Sequence, residues 1–574
     1  MRISGAQALV RCLVAEQVGF AFGIASGKLT PLLHALSQTP SIRFVGLRHE
    51  AAGAMMAAAV FAGTGRVAVA LGEMGPGGLN LASGAGVAFN NNLAALLITT
   101  NQHRAAAYPH LGMFMDMDTR AVLAPLTKWN AVVAGPERIP ELVRSAFREA
   151  LSGRPGPVHL DIPQDVLSAS CEFADDEFDL APARYRCAAG PRPAAAAITA
   201  AAGLLRGAQR PLIVAGGGVV LSDAQAQVRE LAATLHAPVV PTQMALGVVG
   251  SDSPHFIGHG GLIAGDAVRA AFERADVVLS MGCRYSSWMW DQAGPFTRRS
   301  HRHININIDP TALGAPALHE LGIHADAREA LVDLQEALAS GPAVQPDPGW
   351  LASVRAIRRR HEHELAAMAT DQVTAMHPAA LAAAIGQALP PDALAVFDGG
   401  HTSFWSNDLT PVHDVRTRFH EPGMSHLGFG LPYALALKLA FPDRPVFNIT
   451  GDGSFGFTMN ELDSARRHGL AVISIIHNNE SWGIIRSGQR MQLGFEMGTS
   501  LEGSDYAAIA RGFGCHGETV TRAADVAGAI ERARASGQPA VLDCRTRFVP
   551  HPATPGFGSM NRFGFDALTR VPGG

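Results

Sequence analysis

The chain has 574 residues, of which 47% are apolar and 17% are charged, and its formal net charge is −4. The apolar content excludes a disordered chain, and the slight excess of acidic over basic residues, without a basic run, argues against a nucleic-acid partner. At ~100–200 residues per domain, this length predicts about three domains, each with its own core.

The first predicted domain, residues 1–170, alternates short β-branched runs with Ala-rich helical patterns. Its apolar stretch 51–63 is too short to cross ~30 Å of hydrocarbon and is expected to be a buried helix. Because Arg11 and Glu16 interrupt the apolar run that a signal peptide needs, we expect a cytoplasmic protein without a membrane partner. Its predicted strands are 43–47, 67–71, 95–99 and 157–162.

Two Pro-rich linkers, 171–193 and 340–350, separate this domain from a central domain at 190–340 and a third domain at 350–574. The alternation of strands and helices in each part is typical of an α/β protein with three doubly wound parallel-sheet domains. Ligands of such sheets bind beyond the carboxyl ends of the strands. The remaining predicted strands are 212–215, 277–281, 304–309, 394–398, 445–450, 471–476 and 540–544.

A glycine run, 216–218, follows the first predicted strand of the central domain. A dinucleotide fingerprint would need a glycine at the position of Leu221, so no match is made. We interpret the run as a tight turn in a structural domain or as the remnant of a nucleotide site.

A carboxylate and a carboxamide follow two successive strands of the third domain. Asp452, between two glycines, follows the predicted strand 445–450, and Asn479 follows 471–476. Mg²⁺ takes few protein oxygens and completes its shell with phosphate and water. The flanking glycines allow a phosphate to approach, and a helix predicted to begin near Thr458 offers free N–H groups. The spacing therefore predicts a site for Mg²⁺ and a phosphate group.

The GDGSF and HNNESWG segments resemble the cofactor motif of thiamine-diphosphate enzymes of the acetolactate synthase, pyruvate oxidase and benzoylformate decarboxylase superfamily, above all acetolactate synthase large subunits. Such a resemblance implies a pyrimidine-binding first domain, a structural central domain and a third domain that binds the diphosphate and Mg²⁺. Further matching segments are Phe22-Gly23, Arg48-His49-Glu50, Gly75-Pro76-Gly77, Asp161-Ile162-Pro163 and Gly428-Phe429-Gly430-Leu431-Pro432.

The resemblance also implies roles for individual residues. Asp452, the Asn479 side chain and the Ser481 carbonyl would ligate Mg²⁺. Leu427 would hold the coenzyme in a bent shape, and the Ser425 carbonyl would accept a hydrogen bond from its 4′-amino group. The residues expected to bind the coenzyme are Asn80, Gly400, His401, Thr402, Ser425, Leu427, Gly453, Ser454 and Asn479.

Glu50 is the candidate catalytic residue, placed at the start of an Ala/Met helix. A carboxyl group in apolar surroundings has a raised pKa and can share its proton with a ring nitrogen. In the resembled family this acid protonates the pyrimidine, which activates the coenzyme to decarboxylate a 2-oxo acid and pass the acyl carbanion equivalent to a carbonyl acceptor. The pyrimidine and diphosphate sites meet across two chains in that family, which implies a homodimer or homotetramer with active sites at the subunit interface.

Substrate contacts are expected from five positions, several of which depart from the family pattern. Met115 stands where anabolic acetolactate synthases carry glutamine, so pyruvate as both donor and acceptor does not follow from the resemblance. Gly27 occupies a position where decarboxylases often place Asp or Ser, which favours carboligation. Lys28 could steer an anionic substrate or be an exposed loop lysine. Glu73 adds a carboxylate near the expected donor site, and Ile484 is expected to border the acceptor space.

The central-domain segments 258–261 and 284–287 match flavin-binding relatives only in part, so the sequence disfavours bound FAD. Two alternatives to the carboligase remain open. One is a simple 2-oxo acid decarboxylase that releases an aldehyde, and the other is a catalytically silent paralogue that binds the cofactor as structure.

Overall fold

The structure is a computed structural model that describes residues 1–107, 110–261, 263–286, 288–289, 301–314, 318–370 and 375–554. These residues contain three fully parallel sheets of six, five and six strands and one short antiparallel pair. The expected α/β class with three doubly wound domains is confirmed. The domain limits at 170, 190, 340 and 350 remain predictions, and Ser287 and the last part of the third predicted domain, 555–574, lie outside the described residues.

The first sheet has the strand order β3-β2-β4-β5-β7-β6, and β1 pairs with β8 beside it. Each parallel strand is followed by a helix or a loop at its carboxyl end, which places the residues after β3 and β4 on one edge. The elements are β1 Arg2–Ser4, α1 Gly5–Ala15, β2 Phe20–Gly23, α2 Thr30–Ser37, β3 Arg43–Gly46, α3 Glu50–Thr64, β4 Val69–Gly72, α4 Pro76–Asn90, β5 Leu96–Asn101, α5 Arg104–Ala107, α6 Thr119–Leu123, β6 Trp129–Val132, α7 Ile139–Leu151, β7 Val158–Pro163, α8 Gln164–Ser168 and β8 Ser170–Glu172.

The central sheet has the order β10-β9-β11-β12-β13. Its glycine run opens α10 and packs against the turn after β11, where a Cβ on Gly216 would lie 2.2 Å from the carbonyl oxygen of Gly282. The elements are α9 Ala195–Arg206, β9 Pro211–Ala215, α10 Gly217–Leu221, α11 Gln225–Thr234, β10 Val239–Pro241, α12 Asp266–Arg274, β11 Val277–Met281, β12 Arg302–Asn307, β13 Leu321–His324 and α13 Ala327–Ala339.

The third sheet repeats the topology of the first, with the order β15-β14-β16-β17-β19-β18. The residues that follow β14, β16 and β17 therefore share one edge. The elements are α14 Trp350–Ala369, α15 Pro378–Ala388, β14 Leu394–Asp398, α16 His401–Leu409, β15 Arg418–His420, α17 Gly430–Ala440, β16 Val446–Gly451, α18 Asp452–Thr458, α19 Glu461–His468, β17 Val472–Asn478, α20 Gly483–Leu493, α21 Tyr506–Gly512, β18 His516–Val520, α22 Val526–Ala535 and β19 Ala540–Arg545.

Helix α3 joins the first and third domains in one apolar core. It is buried on nearly every face and packs against α4 of its own domain and α17 of the third domain. Small residues allow these close contacts, since a Cβ on Gly84 of α4 would lie 2.3 Å from the carbonyl oxygen of Ala51. Helix α3 has 15 residues, and none of the helices in the described residues is long and apolar enough to cross a membrane.

Replacing Gly84 with alanine is expected to lower the free energy of unfolding by about 1–3 kcal/mol, because the added methyl group meets a backbone oxygen that cannot move aside. The midpoint of urea unfolding measures the effect. The matched control is Gly203→Ala in α9, where a Cβ has no heavy atom within 4 Å, and this change should stabilise the helix by about 0.5–1 kcal/mol. Equal midpoint shifts for the two variants would contradict the packing at Gly84.

Candidate active site

The carboxyl edge of the third sheet forms a cleft of about 230 Å³. Three loops that follow β14, β16 and β17 form its walls, and the loop before α17 and one central-domain residue, Trp288, complete it. We call it the third-domain cleft. The predicted site residues that line it are Gly400, His401, Thr402, Ser425, Leu427, Asp452, Gly453, Ser454, Asn479, Ser481 and Ile484.

Asp452 and Asn479 converge on one backbone N–H group inside this cleft. The N–H of Ser481 donates to the Asp452 carboxylate at 3.1 Å and to the Asn479 side-chain oxygen at 3.1 Å. The other Asp452 oxygen accepts the N–H of Gly453 at 2.9 Å. Burial raises the pKa of Asp452 to about 6, since no cationic side chain compensates its charge. The two side chains thus present hard oxygen atoms to one small volume.

The helix after Asp452 begins earlier than the sequence predicts. Helix α18 starts at Asp452 itself, whereas the expected start was near Thr458. The segment 452–456, with its two glycines, is therefore helical, and the first helical turn contains the N–H groups of Gly453 and Ser454. A Cβ on Gly453 would lie 2.4 Å from the ring of Trp482, so this position has no room for a side chain.

The opposite wall of the cleft begins with two glycines after β14. Gly399 has a left-handed φ of +97°, and a Cβ on Gly400 would lie 2.9 Å from the Ile484 side chain. His401 and Thr402 follow at the buried start of α16. The Nε2 atom of His401 pairs with the Thr554 hydroxyl at 3.1 Å, and its buried Nδ1 atom has no hydrogen-bond partner among the described residues.

Burial lowers the pKa of His401 to about 3, and the nearby His551 ring adds to this effect. The imidazole is therefore neutral at physiological pH. A buried, unpaired ring nitrogen beside the cleft indicates that a polar group is accommodated there.

Ser425 and Leu427 lie on the loop between β15 and α17. Ser425 has a left-handed φ of +53° and Gly428 one of +88°. Leu427 is half-buried and lines the cleft. The N–H groups of Gly428 and Gly430 donate to the buried Asp398 carboxylate at 3.1 and 3.0 Å, which fixes the end of the loop.

Glu50 and Asn80 form a second cluster in the first domain. Glu50 is the first residue of α3 and only 9% exposed, and the Asn80 side chain donates to its Oε2 atom at 2.9 Å. A Cβ on Gly77 would lie 3.2 Å from Oε1 of the same carboxyl group. Among the described residues, none from the first domain lines the third-domain cleft. Within one chain the two predicted half-sites are therefore separate.

The substrate candidates are divided between the same two regions. The backbone N–H of Lys28 donates to the Glu73 carboxylate at 3.2 Å, which ties these two first-domain loops together. Met115 has a left-handed φ of +63° and packs its backbone against Gly75, and Gly27 has open space around it. Ile484 alone lies in the third-domain cleft, against Gly400.

Several residues that shape the site were missed in the sequence. Glu461, at the start of α19, accepts the N–H groups of Arg48 and His49 at 3.1 and 3.0 Å and so holds the turn before Glu50. Asp398 was predicted only as the last residue of the strand 394–398 and was given no role, although its place at the end of a strand could have marked it. No local pattern announces Glu461, because its partners are 412 and 413 residues away.

A second cavity, of about 130 Å³, lies between the domains beside the glycine run. Gly217, Gly218 and Arg284 line it. The contact of Gly216 with Gly282 gives the run a packing role, which supports the interpretation as a tight turn. The absence of FAD stays a prediction.

Comparison with known proteins covers all three domains. Thiamine pyrophosphate enzyme profiles match residues 3–122 as the N-terminal TPP binding domain, 198–334 as the central domain and 398–544 as the C-terminal TPP binding domain. The acetolactate synthase large subunit of Corynebacterium glutamicum is 30% identical over 551 residues, covering 94% of this chain and 86% of that protein. The chain belongs to the thiamine pyrophosphate enzyme family.

Two further relatives of this thiamine pyrophosphate enzyme carry similar names. The acetolactate synthase isozyme 1 large subunit of Escherichia coli is 29% identical over 548 residues, covering 95% of this chain and 94% of that protein. A probable acetolactate synthase large subunit of Methanocaldococcus jannaschii is 28% identical over 553 residues, with coverages of 94% and 91%. The family resemblance drawn from the sequence motifs is confirmed.

The side chains of this thiamine pyrophosphate enzyme fit a diphosphate and its cation. The part of the chain that the structure describes contains no cluster of three His, Cys, Asp or Glu side chains that could hold a metal. A cation would thus depend on the Asp452 carboxylate and amide or carbonyl oxygens, with phosphate and water completing its shell, which suits Mg²⁺. Gly400 and Gly453 lie on the two walls, packed closely against Ile484 and Trp482, and the unpaired His401 nitrogen lies beside the cleft.

Proposed function

We propose that this enzyme is an acetolactate synthase-like carboligase that uses thiamine diphosphate and Mg²⁺. It would decarboxylate a 2-oxo acid and transfer the acyl carbanion equivalent to a carbonyl acceptor. The observation that carries the proposal is the convergence of Asp452 and Asn479 on the Ser481 N–H in a cleft walled by glycines. Thiamine diphosphate, when bound, supplies a carbon nucleophile and an electron sink for the electrons that departing CO₂ leaves behind.

In the third domain, the proposed roles follow the two walls of the cleft. Asp452, the Asn479 side chain and the Ser481 carbonyl would ligate Mg²⁺, which would neutralise the diphosphate. Residues at the starts of α16 and α18 would bind the diphosphate oxygens. They are Gly400, His401, Thr402, Gly453 and Ser454, all of which line the cleft.

At the ring end, Leu427 would hold the coenzyme bent, and the Ser425 carbonyl would accept a hydrogen bond from its amino group. Glu50 would hold the proton that it shares with the pyrimidine ring. The Asn80 side chain occupies Oε2 of Glu50, which leaves Oε1 to carry that proton. Burial of Glu50 at the start of α3 keeps water away from the exchange.

The active site is proposed to form between two chains, as a homodimer or homotetramer. Its support is the separation of the half-sites, because the described lining of the third-domain cleft contains no first-domain residue. Glu50 of one chain would then serve the cleft of the partner. A cytoplasmic location stays a prediction from the sequence.

Substrate recognition is assigned to Gly27, Lys28, Glu73 and Met115 from the first domain and to Ile484 from the partner's cleft. The open space at Gly27 supports carboligation, because no side chain there could deliver a proton that ends the reaction as an aldehyde.

The experiment that tests this function is a panel of 2-oxo acids supplied with thiamine diphosphate and Mg²⁺, each with and without an added aldehyde or second 2-oxo acid. CO₂ release and product mass are measured. We expect hydroxyketones or hydroxy-oxo acids as the main products. Free aldehyde alone would favour the simple decarboxylase, and coenzyme binding without turnover across the panel would favour the silent paralogue.

A further inference from the structure

A buried glutamate that has no role in the proposed reaction holds the loop of Ser425 and Leu427. Glu421 is 1% exposed and lies just after β15. One of its carboxylate oxygens accepts the N–H of Met424 at 2.6 Å, and the other accepts the N–H of His426 at 2.7 Å. Because these N–H groups are two residues apart, a single carboxylate fixes the backbone on both sides of Ser425.

The first domain completes this anchor through Asn91, the residue that directly follows α4. The Asn91 side chain donates to Glu421, and its oxygen accepts the N–H of Gly423 at 3.1 Å. Asn91 is itself 5% exposed and is held by the Val87 carbonyl at 2.8 Å. The Asn91 side chain thus orients the Glu421 carboxylate and fixes the position of Gly423, near the start of the loop.

The loop needs such restraint, because its conformation is unfavourable. Ser425 is a non-glycine residue with a left-handed φ of +53°, a conformation that persists only where the surroundings impose it. Asp398 anchors the far end of the loop through the N–H groups of Gly428 and Gly430. Glu421 anchors the near end, so two buried carboxylates hold the segment between them.

Glu421 occupies the same place in its sheet as Glu50 does in the first sheet, but its hydrogen bonds bind a loop, so it is not free to contact the pyrimidine ring of a coenzyme. The first and third sheets share one strand order, and β3 and β15 occupy the same place in it. Glu50 follows β3 and Glu421 follows β15. Both Glu421 oxygens accept backbone N–H groups, whereas Glu50 has an oxygen to spare. Glu421 is therefore an anchor.

Helix α4 carries the partners of both glutamates. Asn80 in its second turn donates to Glu50, and Asn91 at its end contacts Glu421. At ~1.5 Å per residue, these two side chains leave the helix ~16 Å apart. In the proposed dimer, Glu50 and Glu421 of one chain serve two different coenzymes, so α4 joins the two active sites.

We propose that the Asn91–Glu421 pair is a positioning device that sets the loop of Ser425 and Leu427 against the ring end of the coenzyme. The proposal rests on the proposed function, since it needs thiamine diphosphate in the third-domain cleft. Glu421 lines the third-domain cleft, but the hydrogen bonds described for the pair go to Val87, Gly423, Met424 and His426 and to none of the residues assigned to the diphosphate. Its loss should therefore weaken recognition of the ring end and leave recognition of the diphosphate end intact.

The test compares two ligands in the presence of Mg²⁺, thiamine diphosphate and inorganic pyrophosphate, by calorimetric titration of the full chain. In Glu421→Gln, one oxygen becomes an N–H donor that faces a backbone N–H, so one anchor is lost. Because a buried N–H group then lacks its acceptor, we expect about a 10-fold or greater fall in affinity for thiamine diphosphate. The affinity for pyrophosphate should change less than about 2-fold, because the contacts at Ser454 and Gly400 remain.

Two further variants complete the design. Asn91→Ala removes the Asn91–Glu421 hydrogen bond from the first-domain side and should show the same selective loss of affinity. The double variant should bind thiamine diphosphate no more weakly than either single variant. Glu518→Gln is the matched control. Glu518 lies on β18 and pairs with Arg532, and this variant should bind both ligands as the wild type does.

Equal weakening of both ligands in Glu421→Gln and Asn91→Ala would show a merely structural role and overturn the proposal, as would unchanged binding of both. Failure of the wild-type protein to bind either ligand would overturn the proposed function and this inference together. A selective loss in the variants beside tight wild-type binding supports both.

Discussion

Replacing Glu50 with glutamine is expected to lower the turnover number by about 10²–10⁴-fold, the range that a positioned proton donor contributes. Glutamine keeps the size of the side chain and can still accept the Asn80 hydrogen bond, but it has no proton to exchange with the pyrimidine ring. The affinity for thiamine diphosphate should change little, because the glutamine side chain can still hydrogen-bond the ring and the diphosphate contacts are unchanged. Steady-state kinetics at saturating coenzyme and Mg²⁺ measure the loss.

The matched control for Glu50→Gln is Glu141→Gln. Glu141 is an exposed residue of α7 in the same domain, paired with Arg138, and its replacement should leave turnover unchanged. A turnover of Glu50→Gln within about 2-fold of the wild type would show that a group other than Glu50 supplies the proton.

Mixed dimers test where Glu50 acts. A chain with Glu50→Gln still offers an intact cleft, and a chain with Asp452→Asn still offers an intact Glu50. If the sites form between chains, co-expression of the two inactive variants creates one complete site per mixed dimer and restores activity. Activity that stays at the level of the separate variants would place Glu50 and Asp452 of one chain in the same site.

Replacing Asp452 with asparagine is expected to reduce the affinity for thiamine diphosphate in the presence of Mg²⁺ by about 100-fold or more. The change removes the one carboxylate assigned to the cation, and the diphosphate then lacks a charged anchor. Asparagine retains an oxygen that can accept the N–H of Gly453 or Ser481, so the fold should persist. Calorimetric titration measures the affinity, and thermal unfolding of the coenzyme-free protein verifies the fold.

Asp525→Asn serves as the control for this variant. Asp525 pairs with Arg522 near the surface of the same domain, and its loss should leave coenzyme binding unchanged. If Asp452→Asn bound the coenzyme as tightly as the wild type, Asp452 would not be the metal ligand and the assignment of the cleft would be wrong.

Most of the buried strands could be predicted from the sequence, because β-branched runs between turn residues identify them. The predicted strands 277–281 and 394–398 coincide with β11 and β14. The strands that were missed are mostly at sheet edges, where one side lacks a partner and polar residues are tolerated. They are β1, β2, β6, β8, β10, β13, β15 and β18, of which only β2 is interior.

The local geometry around Asp452 was predictable for a similar reason. Asp452 and Asn479 follow β16 and β17, which are neighbours in the sheet, so their side chains had to lie close together. The start of α18 was not predictable, since three glycines in six residues are typical of a loop. Tertiary contacts override that local preference.

Contacts that join distant parts of the chain left no signal in the sequence. The Asn91–Glu421 hydrogen bond spans 330 positions, and the Arg48–Glu461 contact spans 413. Neither forms a motif, and both depend on the packing of α3 against α17 that brings the first and third domains together. Such positioning contacts become visible only in the folded chain.

The binding of thiamine diphosphate and Mg²⁺ in the third-domain cleft is tested most directly by calorimetric titration of the wild-type protein with the coenzyme, with and without Mg²⁺. We expect saturable binding that approaches one coenzyme per chain and depends on the metal. No uptake of the coenzyme by folded, Mg²⁺-supplied protein would contradict the assignment of Asp452, Asn479 and Glu50, and with it the proposed function.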